Sequence, residues 1–205
     1  MPSAGRRTRA TLCLLLAGAL AAAQDYDPDR LVTRGQIDVD ARSQSYIIRH
    51  LPPSSFPDLP LAVNGELTER GCLIPQTYEA HRPENVIHGS FQRPGSSDWA
   101  VLCSAEGTVS LLVFFGATPA RPEVLATALE TSRLQAHDST VTLGFNWGID
   151  AASPETVREA QIGLSPRPAR LDHDAVSDSV IDHKTVYHYF TKSAWTLAEA
   201  SDNLR

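Results

Sequence analysis

The chain has 205 residues, of which 24 are acidic and 18 basic, so its formal net charge at pH 7 is −6. Lysine occurs only at Lys184 and Lys192, and the arginines are scattered rather than gathered in a basic run. An acidic chain of this kind repels phosphate, which argues against nucleic acid and against an anionic membrane surface as partners.

The first 23 residues have the features of a cleavable signal peptide. Three arginines fall within the first nine residues, an apolar run spans 10–23, and an A-x-A cleavage motif ends at Ala23. The run of about fourteen residues is shorter than the roughly 20 that a transmembrane helix requires. We therefore expect a mature chain with 15 basic and 24 acidic residues and no membrane span, in an extracytoplasmic location, either periplasmic or secreted.

Residues 24–57 are predicted to form an extended or disordered arm. They are rich in Asp, Arg, Ser and Pro, and their one apolar cluster is Tyr46–Ile48. A segment of this composition buries too little apolar surface to fold by itself. A single globular domain is expected over residues 58–205, a length at which one apolar core can form.

The domain is predicted to begin with a short helix and to contain a disulfide. Pro60 and Gly71 stand where proline and glycine are favoured, near the start and just past the end of a helix. Cys72 follows, and Cys103 is the second cysteine of the mature chain. An isolated cysteine pair in an oxidising compartment predicts a disulfide, and closing a loop of about 30 residues stabilises a fold by about 3 to 4 kcal/mol.

A β-hairpin is predicted in the first half of the domain. The segments Asn85–Phe91, Asp98–Cys103 and Val109–Phe115 are rich in strand-forming residues, and a turn at Glu106–Gly107 separates the last two. Both alternating faces of those last two segments are apolar. We therefore expect their hairpin to be buried on both sides.

Helices and a strand are predicted in the middle of the domain. The spacing of apolar residues predicts a helix over Pro122–Gln135, and Val141–Trp147 has the composition of a strand. Ser153 and Pro154 are typical of the N-cap and first residue of a helix, so a second short helix is expected after them.

The C-terminal segment repeats the order of the first hairpin. An acidic turn over Leu171–Asp178 precedes two predicted strands, Ser179–Ile181 and Val186–Phe190. Aligning Asp98 with Asp178 places Ala100–Val101 on Val180–Ile181, which suggests a repeat of the hairpin. The sequence therefore predicts an α+β, mostly β fold with two antiparallel hairpins in one core, short helices and one disulfide.

Two resemblances accompany these patterns. The segments Gly71–Gln76, Gly89–Phe91, Asp98–Ser104 and Leu171–Trp195 resemble a group of uncharacterised exported bacterial proteins. This resemblance covers most of the domain and implies no particular activity.

The second resemblance is to FG-GAP-type repeats, the four-stranded blades of integrin-like propellers. It rests on Gly89–Phe91, Asp98–Val101 and Asp172–Asp174. Such repeats hold calcium in a glycine-containing run of acids. The first copy here has Gln92–Pro94 at the positions of those acids, and the second has Ala175 where glycine is expected.

Calcium is the one cofactor that the sequence suggests. Asp172, Asp174 and Asp178 form a D-x-D-x-x-x-D run that would supply three of the six to eight oxygens that calcium takes. The alternative is an acidic surface turn in which these side chains bond their own backbone. Three nearby histidines are zinc candidates, although surface or core positions are the favoured interpretation: His173, His183 and His188.

The sequence contains no nucleophile elbow, phosphate-binding glycine loop or dinucleotide fingerprint. We therefore expect a secreted or periplasmic, non-catalytic binding or envelope-associated protein with an unknown protein or glycan partner. One alternative is a small extracytoplasmic hydrolase that uses Asp or His of the C-terminal segment, and another is an inhibitor or stability factor for an exported protein. Aromatic residues such as Trp99, Trp147 and Trp195 are expected in the core rather than on a binding platform.

Overall fold

The computed structural model of the chain describes residues 31–117, 121–136, 142–181 and 183–201. These residues form three β-sheets and two short α-helices, which confirms the predicted α+β, mostly β class. The predicted signal peptide over residues 1–23 lies outside the described residues. No helix within the described ranges is long and apolar enough to cross a membrane.

The elements follow one another along the chain without long irregular segments between most of them. The strands are β1 (Val32–Val39), β2 (Arg42–Leu51), β3 (Ile74–Gln76), β4 (Val86–Gly89), β5 (Asp98–Ala105), β6 (Thr108–Phe114), β7 (Glu123–Leu129), β8 (Leu134–Ala136), β9 (Leu143–Phe145), β10 (Trp147–Ala152), β11 (Ala175–Val180), β12 (Lys184–Thr191) and β13 (Ala194–Ala198). The helices are α1 (Leu61–Glu69) and α2 (Pro154–Ala160), with short 3-10 turns at Pro53–Ser55, Phe115–Ala117 and Glu130–Ser132.

Two of the sheets are antiparallel meanders of four strands. The second sheet has the order β4-β5-β6-β7 and the third has the order β10-β11-β12-β13. The two predicted hairpins are the central strand pairs of these sheets. Glu106 and Gly107 connect β5 to β6 with φ values of 51° and 77°, the left-handed geometry that a two-residue hairpin turn requires.

The two meanders correspond in topology but not in the alignment expected from the sequence. Ala105 pairs with Thr108 at the end of one central hairpin, and Val180 pairs with Lys184 at the end of the other. Val180 therefore corresponds to Ala105. The alignment of Asp98 with Asp178 was wrong because it matched apolar runs without the hairpin ends that determine register.

The first sheet contains the segment that was expected to be an arm. Its strands have the order β1-β2-β9-β8, and β3 also pairs with β2. The expectation of an extended or disordered arm over residues 24–57 does not hold for 32–51, which form β1 and β2. The polar residues of β1 alternate with half-buried ones, and Ile48 of β2 is fully buried. Pairing with β9 and β3 supplies the buried contacts that the hairpin lacks alone.

The structure also corrects two local predictions. The helix expected over Pro122–Gln135 is wrong, because residues 123–129 form β7, whose Leu125, Ala126 and Ala128 pack against the core. The backbone hydrogen bonds to β6 stabilise the strand more than the weak helical spacing of its apolar residues favours a helix. The acidic turn expected to continue to Asp178 ends earlier, since β11 begins at Ala175.

The second sheet is covered on both faces, as predicted for its central hairpin. Neighbouring residues Leu111 and Leu112 of β6 point to opposite faces and belong to separate apolar clusters. The cluster of Leu111 includes Ile48 from the first sheet and Val176 from the third. The cluster of Leu112 includes Leu67 of α1.

Helix α1 positions Cys72 in the apolar cluster that contains Leu112. Gly71 follows the helix with a φ of +69°, and the backbone N–H of Cys72 donates to the carbonyl of Leu67 at 2.9 Å. Cys72 and Cys103 form the predicted disulfide, with Cα atoms 5.0 Å apart and both side chains buried. The disulfide thus ties α1 to β5.

The second helix begins as predicted. Ser153 is its N-cap residue, and its Oγ accepts a hydrogen bond from the backbone N–H of Thr156 at 3.1 Å. Pro154 is the first helical residue, where its missing N–H costs no intrahelical bond. Helix α2 packs beside β10 through Val157 and the buried Ala152.

Candidate functional site

The first of the three predicted calcium ligands forms a cluster with its neighbours. The exposed Asp172 carboxylate accepts a hydrogen bond from the Tyr189 hydroxyl at 2.7 Å and lies 2.6 Å from Nδ1 of His173. These hydrogen bonds lower the pKa of the Asp172 carboxyl. The Nε2 atom of His173 is buried and has no hydrogen-bond partner within the described part of the chain.

The other two predicted ligands have different partners. Asp174 accepts the backbone N–H of Ser90 at 2.9 Å and so connects the third sheet to the second. Asp178 is buried in β11, accepts the indole N–H of Trp147 at 2.7 Å and lies 3.1 Å from Nε2 of His188. In the described ranges, no group of three or more His, Cys, Asp or Glu side chains is arranged to hold a metal ion. Calcium binding here stays a prediction.

His173 and His188 are poorly accessible as bases for the hydrolase alternative. His173 is only 7 % exposed, and a general base must reach the proton that it removes from a substrate. His188 is paired with Asp178 beside a buried tryptophan. Hydrolysis by the C-terminal Asp and His residues stays a prediction.

Asp98 is fully buried, and its side chain is bonded to the preceding loop and to the turn after β6. Its carboxylate accepts the backbone N–H groups of Gln92 and Gly116, each at 2.8 Å, and the hydroxyl of Ser96. A buried carboxylate requires such donors, because a polar group without a partner is costly in the interior. These protein donors occupy both oxygens of Asp98.

Most of the aromatic side chains belong to the core, as expected. Trp147 and Phe114 are fully buried. Trp195 stacks on Phe115 with ring centroids 5.9 Å apart, and Phe190 packs against both. These contacts join the second and third sheets rather than forming an open platform.

A cleft of about 600 Å³ lies beside β10 of the third sheet. One wall is the loop of residues 77–85, which connects β3 to β4. The other wall is formed by Gly148–Asp150 of β10 together with Ser179 and Ile181 at the end of β11. Clefts of this size are typical of sites for small ligands.

The loop wall is held by hydrogen bonds around Glu84. The backbone N–H of Glu84 donates to Oε1 of Gln76 at 3.0 Å, and the Gln76 amide donates to the Glu84 carbonyl at 3.2 Å. The Glu84 carboxylate in turn accepts the backbone N–H of Thr77 at 2.6 Å. The two ends of the loop are therefore connected directly, which restricts its motion.

Asn85 joins the loop wall to the strand wall. Its buried side-chain amide donates to the carbonyls of Pro75 at 2.7 Å and Trp147 at 3.2 Å, and its Oδ1 accepts the N–H of Ile149 at 3.1 Å. Its backbone has a φ of 67°, a conformation that asparagine tolerates better than most residues. One side chain thus fixes the separation of the two walls.

The cleft contains more acidic than basic side chains. Glu79, Glu84 and Asp150 line it together with Arg82 and His81. Partial burial and the nearby Glu84 carboxylate raise the pKa of Asp150, and Arg82 opposes this increase. Burial is the largest cause of the raised pKa, and Glu84 and Arg82 are smaller, opposing influences on it.

This pair of carboxylates was not predicted from the sequence. Glu84 lies in the loop 77–85 and Asp150 on β10, and no motif links them, since an acid beside a turn is ordinary. Gly148 was the one local sign, because a glycine inside a strand marks a position with space for another group. No protein-family profile, curated protein or solved structure matches the chain.

Proposed function

We propose that the protein is an extracytoplasmic, non-catalytic binding protein that holds a small polar ligand in the cleft between the loop 77–85 and β10. The observation that carries the proposal is the cleft itself, whose two walls are fixed by Asn85 and lined by charged and hydroxyl side chains. A site that is already formed loses little entropy when a ligand binds.

The proposed location rests on two further observations. The signal-like first 23 residues favour export, and a disulfide between Cys72 and Cys103 is expected to persist in an oxidising compartment. Binding in the cleft does not depend on the resemblance to FG-GAP-type repeats, which stays a prediction.

A thermal-unfolding screen tests this function on the mature, oxidised protein. The panel contains neutral sugars, amino acids, aliphatic amines and carboxylates, each in large excess, because a ligand that binds the native state alone raises its melting temperature. We expect at least one class to raise the melting temperature of the parent protein. We expect a smaller increase in Gly148→Val, whose side chain would enter the cleft.

Gly148→Ala is the matched control for folding. A Cβ at this position would meet only the Thr77 methyl group, at 3.9 Å, so the alanine variant should fold as the parent does. If no compound shifts the parent, or if the shift is as large in Gly148→Val as in the parent, the cleft is not the binding site.

A further inference from the structure

We propose that two copies of this chain pair through the outer edge of β1 and form an antiparallel dimer. Strand β1 lies at one end of the first sheet, and β2 is its one strand partner within the described residues. A strand at a sheet edge presents backbone N–H and C=O groups that can pair with another chain. The proposal is independent of the cleft and of its ligand.

Strand β1 is the edge of this fold best suited to such pairing. Its eight residues pair with β2 in one uninterrupted register. The register of β7 with β6 is interrupted by an irregularity, a feature that twists an edge away from straight pairing. The edge strands β8 and β13 have only three and five residues. Strands β4 and β10 lie beside each other, joined by the hydrogen bonds of Asn85.

The outer half of the β1–β2 hairpin is a ribbon of two strands. In the described structure β9 pairs with β2 only at Tyr46 and Ile47, and β3 pairs with it only at 49–51. None of the residues 36–45 is fully buried. A two-stranded ribbon is marginally stable in water, and additional strands stabilise it. A second copy would supply them by forming one sheet with the strand order β2-β1-β1-β2.

The alternation of hydrogen bonds in the hairpin determines which backbone groups face outward. A two-residue turn with φ values of 51° and 61° connects β1 to β2, and the pair Val39–Arg42 closes it. The closing pair of such a turn exchanges both backbone hydrogen bonds, and hydrogen-bonded and non-hydrogen-bonded pairs alternate from there. The N–H and C=O groups of Arg34, Gln36 and Asp38 are therefore directed away from β2.

The side chains of these three residues are self-complementary in charge. They are exposed on one face of β1, and the residues opposite Arg34 and Asp38 on β2 are the uncharged Ile47 and Ser43. Arg34 and Asp38 are about 13 Å apart along the strand, too far to pair with each other. In an antiparallel dimer centred on Gln36, Arg34 of each copy lies opposite the partner's Asp38. The two-fold symmetry thus produces two pairs of opposite charge.

The half-buried face of β1 fits the same register. The Tyr46 side chain lies over Gly35, where a Cβ would be 2.6 Å from the Tyr46 hydroxyl oxygen. The register centred on Gln36 places the partner's Ile37 opposite Gly35, beside the Tyr46 ring. Ile37 is only half-buried in the single chain, so pairing would remove more of its apolar surface from water.

Sedimentation velocity of the mature, oxidised protein at low salt tests the proposal over a series of protein concentrations. We expect a reversible equilibrium between monomer and dimer. Because one pair of strands forms a small interface, we expect the dissociation constant to lie in the micromolar range. A parent protein that stays monomeric up to millimolar concentration would overturn the proposal, and the charges of β1 would then serve to prevent edge pairing.

Charge reversal tests the register. Arg34→Glu and Asp38→Arg each turn two attractive pairs into two repulsive ones, so each should raise the dissociation constant of the dimer about tenfold or more at low salt. The double variant Arg34→Glu/Asp38→Arg restores both attractive pairs and should dimerise as the parent does. A mixture of the two single variants should form a heterodimer, since each copy then has charges opposite to those of its partner.

Glu123→Arg, a charge reversal at an exposed position of the edge strand β7, is the matched control and should leave the dimer unchanged. The melting temperature of each variant under monomeric conditions checks that the chain is folded. A parent dimer that both single variants form equally well, or a double variant no better than the single ones, would show that β1 does not pair in this register. Dimerisation lost in Glu123→Arg would instead assign the interface to β7 and overturn the proposal.

Discussion

Buried polar side chains connect the first and second sheets at Glu130. Its Oε1 lies 2.7 Å from Nε2 of His50 on β2 and accepts a hydrogen bond from the Ser104 hydroxyl on β5. All three residues are at least 95 % buried. Burial alone would raise the pKa of the Glu130 carboxyl, but the hydrogen bonds from His50 and Ser104 outweigh it and lower that pKa.

We expect Glu130→Gln to reduce the free energy of unfolding by about 1 to 2 kcal/mol, because an amide oxygen is a weaker acceptor than the carboxylate for the hydrogen bonds from His50 and Ser104. Urea unfolding of the oxidised protein measures this loss. Glu123→Gln, an exposed substitution on β7, is the matched control and should change stability by less than about 0.5 kcal/mol. Equal stability of the two variants would contradict a stabilising role for the buried pair.

The same carboxyl predicts a dependence of stability on pH. Its pKa is lower in the folded state than the ordinary value of 4.5, so the unfolded chain takes up a proton first as the pH falls. The stabilisation that the ionised Glu130 carboxylate contributes is therefore fully present above about pH 5. It is lost as the pH falls through the pKa of this carboxyl in the folded state. Unfolding measured below pH 5 should depend less on pH in Glu130→Gln than in the parent.

At the scale of elements, Asn85 determines how β10 lies beside β4. Its side chain makes the three hydrogen bonds to Pro75, Trp147 and Ile149 that a neighbouring strand would otherwise make. Removing the side chain leaves buried backbone groups unpaired, and each such group costs about 1 to 3 kcal/mol. The positive φ of Asn85 is a second influence on stability, and it can be measured separately from the hydrogen bonds.

We expect both Asn85→Ala and Asn85→Gly to destabilise the fold, and the alanine variant to be less stable by about 1 kcal/mol. Both lose the hydrogen bonds, but glycine adopts a positive φ without the steric cost that alanine has. Chemical unfolding of the two variants side by side measures the difference. A glycine variant no more stable than the alanine variant would show that the backbone conformation at this position carries no cost.

At the scale of the whole molecule, the disulfide stabilises the packing of α1 on the second sheet. Cys72 and Cys103 are separated by 31 residues, and the loop between them contains the cleft wall 77–85. Closing a loop of this length is expected to stabilise the fold by about 3 to 4 kcal/mol, mainly by restricting the unfolded chain.

Reduction of the parent protein should therefore lower its free energy of unfolding by about 3 to 4 kcal/mol. The double variant Cys72→Ala/Cys103→Ala should have the stability of the reduced parent and should not respond to the reductant. Urea unfolding with and without dithiothreitol measures both. An equal effect of the reductant on the parent and the double variant would mean that the disulfide is not responsible.

Elements with strong local signals could be predicted from the sequence. The N-cap at Ser153, the turn at Glu106–Gly107 and the end of α1 at Gly71 depend on residues close together in the chain, so their geometry follows from residue type. Helical spacing misled the prediction for β7, because the hydrogen bonds of that strand come from β6. The N-terminal strands were missed since their buried contacts come from β3 and β9.

The sequence by itself determined the acidic charge, the class of fold, the central hairpins and the pairing of the two cysteines. Only the tertiary structure decided that Glu84 and Asp150 face one cleft, and that Asp172, Asp174 and Asp178 have three separate sets of partners. The physical reason is one of range. Turns, caps and alternating patterns are local, whereas the electrostatics of a site depend on sheet packing that brings together residues far apart in the chain.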